Sequence, residues 1–213
     1  EMLVHPAMQA LSKKAKKILI IGGGDGAVAE EVLKYNHIRT IDLVDIDKEV
    51  VDLSKKYFKK INKNSLINKK LKLFYEDAFN FINKNKNSYD LIIADRPDPI
   101  GAGKSLYKSN FYKKIKNIMS ENSIAIFQSG VPFLQKKELN EVIKDIKKYF
   151  KYYGFYFTVV PSYIGGFMAL VWASNNYDLF KKRNFFINNN IKTKYFNKEI
   201  LNASFAIPNF LKK

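Results

Sequence analysis

The sequence predicts an α/β fold in which a mainly parallel sheet is closed by an antiparallel hairpin at the C-terminal end. Two observations carry this expectation. From residue 17 onward, short β-branched runs alternate with longer stretches of helical period, the pattern of successive strand–helix units. The last two apolar runs, Phe155 to Val160 and Phe167 to Ala173, are separated only by PSYIGG, too short for the crossover that parallel neighbours need.

Taken in order, Lys17 to Ile21 (KILII) reads as a buried strand, followed by a Gly-rich turn and a helix from about Ala27 to Tyr35. Thr40 to Asp45 is the second strand. Its helix, Lys48 to Lys60, is expected to turn Val50, Val51, Leu53, Ser54, Tyr57 and Phe58 toward the sheet. Leu71 to Tyr75 is a third strand, Ala78 to Asn85 a short helix and Asp90 to Ala94 a fourth strand. A loop with two prolines and two glycines follows, then a helix near Asn110 to Met119, strand Ser123 to Gln128 and helix Lys136 to Tyr149. Five parallel strands ending in an antiparallel pair make a Rossmann-like sheet of the methyltransferase type, an arrangement that favours an adenosyl-sulfonium ligand over a dinucleotide. The 213 residues suit one such domain.

Composition narrows the function classes. With 46% hydrophobic and 15% aromatic residues the chain can bury enough surface to fold despite its formal charge of +17. That charge is carried by 34 Lys and only 3 Arg, alongside 21 Asn and 23 Ile, a pattern of A/T-rich codons. The lysines are spread over several helices as solvated faces and lack the arginine that bidentate phosphate and base contacts favour, which argues against nucleic acid. Cysteine is absent and only His5 and His37 are present, which leaves no thiolate metal site or disulfide framework, and no structural metal is expected. No apolar run reaches the roughly 20 residues of a membrane span, so no membrane partner is expected and the cytoplasm is the expected address.

The motifs with chemistry sit where strands end. Gly22-Gly23-Gly24-Asp25-Gly26 opens a helix and lets a ligand approach the backbone closely through Gly22 and Gly24. A helix start that cradles pyrophosphate should not hold a carboxylate, so Asp25 points to a ligand with an amine; a plain helix cap is its alternative reading. Asp45 ends the second strand twenty positions beyond Asp25, the spacing at which a carboxylate accepts from ribose hydroxyls. Asp47 competes for that role, but as the second residue past the strand it suits a helix cap better. Asp77-Ala78 closes the third strand, where a carboxylate and a backbone amide can meet an adenine edge, again with a cap as the bland alternative. Asp95-Arg96-Pro97-Asp98-Pro99 follows the fourth strand. Its prolines exclude an ordinary helix, so both carboxylates cannot be caps. A magnesium pair is disfavoured because no phosphate cradle accompanies them; a sulfonium and an amine fit better.

Taken together, EML, ILIIGGGDGAVAEEVL, VDIDKEVV, YEDA, DRPDPIGAGKSLY, FQSGVPFLQ, PSYIGGFMALVWAS and NASFAIPNFL make a chain that resembles the spermidine synthases (polyamine aminopropyltransferases), most of all their enterobacterial-type branch. The resemblance implies transfer of an aminopropyl group from decarboxylated S-adenosylmethionine to putrescine, giving spermidine and methylthioadenosine, with no cofactor beyond that co-substrate and no metal. It implies Asp95 as proton acceptor for the attacking amine, Asp98 as a polyamine binder and Asp25 as the carboxylate on the amine end of the aminopropyl chain. Asp45 stands where the family usually has Glu at the ribose, and Ala102 where a proline contacts the nucleoside. Asp77 and Ala78 fall at the adenine, and Gln128 and Tyr163 in segments lining the diamine pocket. It further implies a homodimer or homotetramer. The family's N-terminal β-domain is expected to be absent from this chain, leaving residues 1–213 as one catalytic domain. Arg96 departs from the family pattern, and strand alternation is expected to turn it away from Asp95 and out of the pocket. Two other readings stay open: an S-adenosylmethionine-dependent methyltransferase, and a non-catalytic relic whose basic surface associates with RNA.

Overall fold

The computed structural model describes residues 1–98, 101–184, 186 and 190–212, except for the side chains of Gly101 and Ala102. Seven strands form one sheet in the order β3-β2-β1-β4-β5-β7-β6. These are β1 (Lys17–Gly22), β2 (Thr40–Val44), β3 (Leu71–Phe74), β4 (Tyr89–Asp95), β5 (Met119–Gln128), β6 (Tyr152–Val159) and β7 (Phe167–Ser174). The first five pair in parallel. β7 inserts antiparallel between β5 and β6, as the short PSYIGG connection requires.

Both faces of the inner strands β1, β4 and β7 are buried, which is why these strands read as continuous apolar runs. Ile18, Ile20, Leu91, Ile93, Ile124 and Ile126 face one core, shared with Met8 and Leu11 of helix α1 (His5–Leu11) and with Val28 and Val32 of α2 (Ala27–Leu33). Leu19, Ile21, Ile92 and Ala94 face the other. There they meet α5 (Ala78–Lys84), α6 (Ser109–Asn117) and α7 (Pro132–Ile146) through Phe81, Phe111, Ile115, Leu139 and Val142.

Three expectations need correction. Helix α3 (Lys48–Tyr57) ends earlier than expected and α4 (Lys59–Asn62) is separate from it. Of the proposed stripe only Val51 and Ser54 are buried. Val50, Leu53, Tyr57 and Phe58 remain 44%, 48%, 64% and 46% exposed, because amphipathic period shows that a helix has an apolar face but not what covers it. Helix α7 begins at Pro132 rather than Lys136: proline suits the first turn, and a non-helical Gln135 interrupts the period there. β5 starts at Met119, within the stretch expected to finish helix α6.

The lysines of the helices are largely exposed, Lys56, Lys59, Lys60, Lys113, Lys116, Lys144, Lys147 and Lys148 among them. Among the described residues no helix is long and apolar enough to cross a membrane.

Candidate active site

β1 and β4 are neighbours although β2 and β3 lie between them in sequence, so the strand order reverses at this pair. The carboxyl ends of strands at such a switch point form the ligand crevice of an open α/β sheet. Here the crevice is a cavity of about 410 Å³ whose lining includes Gly22, Gly24, Asp25, Asp45, Asp77, Ala78 and Asp95. Four carboxylates at or just past the ends of four different strands thus converge on one space. All four residues are half-buried, and none forms an ion pair among the described residues.

Local geometry explains each placement. Gly22 pairs with Asp95 in the β1–β4 register and has φ +77°. A Cβ there would lie 2.1 Å from the Asp95 carbonyl oxygen, so only glycine fits. At Gly24 a Cβ would stand 2.6 Å from Asp45 Oδ2, the same oxygen that accepts from the Gly24 N–H at 2.9 Å. Asp45 Oδ1 accepts from Asp47 N–H at 2.9 Å, and Asp47 caps α3 by accepting from Val50 N–H at 3.0 Å. Asp47 is therefore the cap of α3, as expected from the sequence, and Asp45 is left bordering the cavity. Asp25 Oδ1 accepts from Ala27 N–H at 2.9 Å, and Asp77 Oδ1 caps α5 through Asn80 N–H at 3.0 Å. Asp77 is thus the cap of α5 and still borders the cavity, whereas Asp25 makes a local turn bond, α2 having Gly26 at its N-cap with no side-chain cap, and also borders the cavity.

Burial, and then the negative charges of Asp25 and Asp45, push the Asp95 carboxyl up to about 6. A carboxylate of that basicity is suited to taking a proton near neutral pH.

Asp95 also borders a second cavity of about 490 Å³, lined by Gln128 and Tyr163 together with Glu1, Met168 and Tyr195. Gln128 Nε2 donates to Tyr163 Oη at 3.3 Å. Among the described residues, Asp95 is therefore the one common to both cavities. Asp98 lines neither of them; its Oδ1 accepts from Gln135 Nε2 at 3.4 Å. The side chain of Ala102 lies outside the described residues.

Arg96 corrects the expectation made for it. It does border the first cavity, but its guanidinium is drawn into the interior and forms no ion pair among the described residues. Sequence reasoning also missed Tyr195. Its backbone N–H and those of Lys194 and Phe196 donate to the Glu1 carboxylate at 2.8–2.9 Å and 2.7 Å, a contact between the two ends of the chain that no local pattern encodes. Among the described residues no group of three or more His, Asp or Glu side chains is placed to hold a metal ion.

Strand order and cavity together define a Rossmann-like fold of the methyltransferase type with an acidic cavity at its switch point. The family model described as the spermine/spermidine synthase domain matches residues 1–183, and the chain belongs to that family. It is 41% identical to the polyamine aminopropyltransferase of Buchnera aphidicola subsp. Acyrthosiphon pisum (strain Tuc7) and 37% identical to that of Shigella boydii serotype 18, in each case over 99% of this chain and 75% of the relative. Among solved structures, a spermidine synthase in complex with the transition state analogue AdoDATO superposes with TM-score 0.89 at 30% identity, covering 99% of this chain and 72% of that one. The spermidine synthase from Thermotoga maritima gives TM-score 0.85 at 29% identity, covering 99% and 70%.

Proposed function

We propose that the chain is a spermidine synthase, transferring the aminopropyl group of decarboxylated S-adenosylmethionine to putrescine with release of methylthioadenosine. The observation that carries this reading is the convergence of Asp25, Asp45, Asp77 and Asp95 on one cavity, none of them in an ion pair among the described residues. Such a site attracts a ligand that is positive at both its sulfonium and its amine.

In the proposed reaction the amine nitrogen of putrescine attacks the aminopropyl carbon attached to sulfur. A C–N bond forms as the C–S bond breaks, and the sulfur keeps the electron pair as neutral thioether. Sulfonium leaves readily, so the site has mainly to align nitrogen and carbon, exclude water and remove a proton from an ammonium of pKa ~10. We assign that proton to Asp95, whose position on both cavities supports the role. Asp25 takes the amine end of the aminopropyl chain, Asp45 the ribose, and Asp77 with Ala78 the adenine. Gly22 and Gly24 allow close approach of the backbone, and Ala102 belongs to the cover of the nucleoside. Gln128 and Tyr163 line the diamine site. Asp98 binds the distal amine in this scheme, which requires it to leave Gln135.

Residues 1–213 act as one catalytic domain in this proposal. The exposed apolar residues of α3 support self-association as a homodimer or homotetramer. A cytoplasmic address belongs to the same reading.

The test is incubation of the purified chain with decarboxylated S-adenosylmethionine and putrescine. The proposal expects spermidine and methylthioadenosine in equal amounts. Methyl transfer from intact S-adenosylmethionine, or RNA retention without methylthioadenosine binding, would overturn it.

A further inference from the structure

Arg96 stands between the two aspartates of the DRPD segment, yet its charge serves neither. The side chain is 1% exposed. Its Nε donates to the Gln128 carbonyl at 3.0 Å, and Nη1 donates to the Leu106 carbonyl and, at 3.1 Å, to Tyr112 Oη. The guanidinium carbon lies 3.7 Å from the centre of the Tyr107 ring, with Tyr112 and Phe127 at 5.6 and 5.4 Å. Tyr107 Oη in turn donates to the Pro97 carbonyl at 3.0 Å. A buried charge without a counter-ion persists only when dipoles and ring faces replace its water; these contacts supply both to Nε and Nη1, while Nη2 is buried without a hydrogen-bond partner among the described residues.

The partners are not random parts of the fold. Leu106 belongs to the 3₁₀ turn Gly101–Tyr107 and, with Gly103 and Pro97, lines the acidic cavity. Gln128 ends β5 and lines the second cavity. One rigid fork therefore fixes the turn beside the first cavity relative to the strand end beside the second.

We propose that Arg96 is a positioning residue: it holds the 101–107 turn over the nucleoside site and ties that cover to the acceptor site through the Gln128 carbonyl. The proposal rests on the aminopropyl-transfer reading for what the two sites bind. It requires the shape of the guanidinium as well as its charge, because a lysine ammonium cannot present two donors at a fixed separation and stack on a ring at once.

The experiment compares wild type, Arg96→Lys and Tyr107→Phe. The second variant keeps the ring beneath the guanidinium and removes only the hydroxyl bonded to Pro97. Three quantities are read: methylthioadenosine affinity by calorimetry, KM for each substrate against kcat, and tryptic cleavage at the exposed Lys104, scored by mass spectrometry against the other lysine sites. Arg96→Lys should weaken methylthioadenosine about tenfold, raise both KM values and accelerate cleavage at Lys104 selectively, with kcat changed by less than about threefold. Tyr107→Phe should do the same by about threefold. Unchanged affinity and unchanged cleavage at Lys104 in both variants, even with a lowered melting temperature, would overturn the proposal; if Arg96→Lys does not fold, Tyr107→Phe decides alone. Failure of the wild type to bind methylthioadenosine would instead count against the functional reading, and the ligand-free cleavage comparison would still judge the anchoring role.

Discussion

Gly22 and Asp95 face each other across β1 and β4, and the space a side chain would occupy at Gly22 is filled by the Asp95 carbonyl, 2.1 Å from an ideal Cβ. The residue that opens the Gly-rich loop and the residue assigned the proton are thus locked together by backbone. Gly22→Ala meets both a positive φ and a backbone clash that no side chain can relieve. It should cost about 2 kcal/mol or more of stability and abolish turnover, read by denaturant unfolding and product formation. Wild-type stability in this variant would contradict the packing described here.

Asp95→Asn separates chemistry from binding. Turnover should fall about 10²- to 10⁴-fold while methylthioadenosine affinity stays within a few-fold, since the amide keeps the shape but cannot take the proton. The variant should also be more stable at neutral pH. Asp95 has its carboxyl raised from 3.8 to about 6 in the folded state, so the stability it contributes in protonated form is present at low pH and lost as pH rises through about 6. Asparagine avoids that loss. The variant should gain about 1–3 kcal/mol over wild type at pH 7, with the gain disappearing near pH 4, measured by unfolding at the two pH values.

Asp25→Asn keeps the hydrogen bond to Ala27 N–H through its amide oxygen but removes the charge. Decarboxylated S-adenosylmethionine should bind about tenfold more weakly, whereas methylthioadenosine, which has no amine chain, should change by less than about threefold. Parallel titrations of the two ligands give the comparison directly.

Away from the site, Glu31 accepts from buried His5 and from Lys34, at 2.8 and 2.6 Å. Burial alone would raise its carboxyl, but these two hydrogen bonds outweigh it and hold it at about 2. The stability this supplies is complete above about pH 4.5 and is lost as pH falls toward 2. Glu31→Gln should therefore cost about 2–3 kcal/mol at pH 7 and flatten the acid limb of the stability curve between pH 5 and 2. An acid limb of unchanged steepness would show that the pair does not carry it.

Much of this was legible in the sequence, and for definite reasons. Strands buried on both faces leave continuous β-branched runs, and a six-residue connection admits only a hairpin, so the strands could be written down in chain order, though not their order across the sheet. Asp25, Asp45, Asp77 and Asp95 were legible because strand ends in such a sheet share one rim. What failed depends on contacts between distant residues. The covering of α3 is not encoded in its own period, and α7 begins at a proline whose helix is interrupted at Gln135. Tyr195 reaches the second cavity through backbone bonds to Glu1, and Arg96 folds inward because two carbonyls and three rings await it.

A rim of carboxylates should select a ligand bearing positive charge and no negative charge, and calorimetry with decarboxylated and intact S-adenosylmethionine, under identical buffer and salt, measures that selection. The decarboxylated form should bind at least about tenfold more tightly, because the extra carboxylate of the intact form faces Asp25 and its neighbours. Equal affinity for the two, or preference for the intact form, would contradict it.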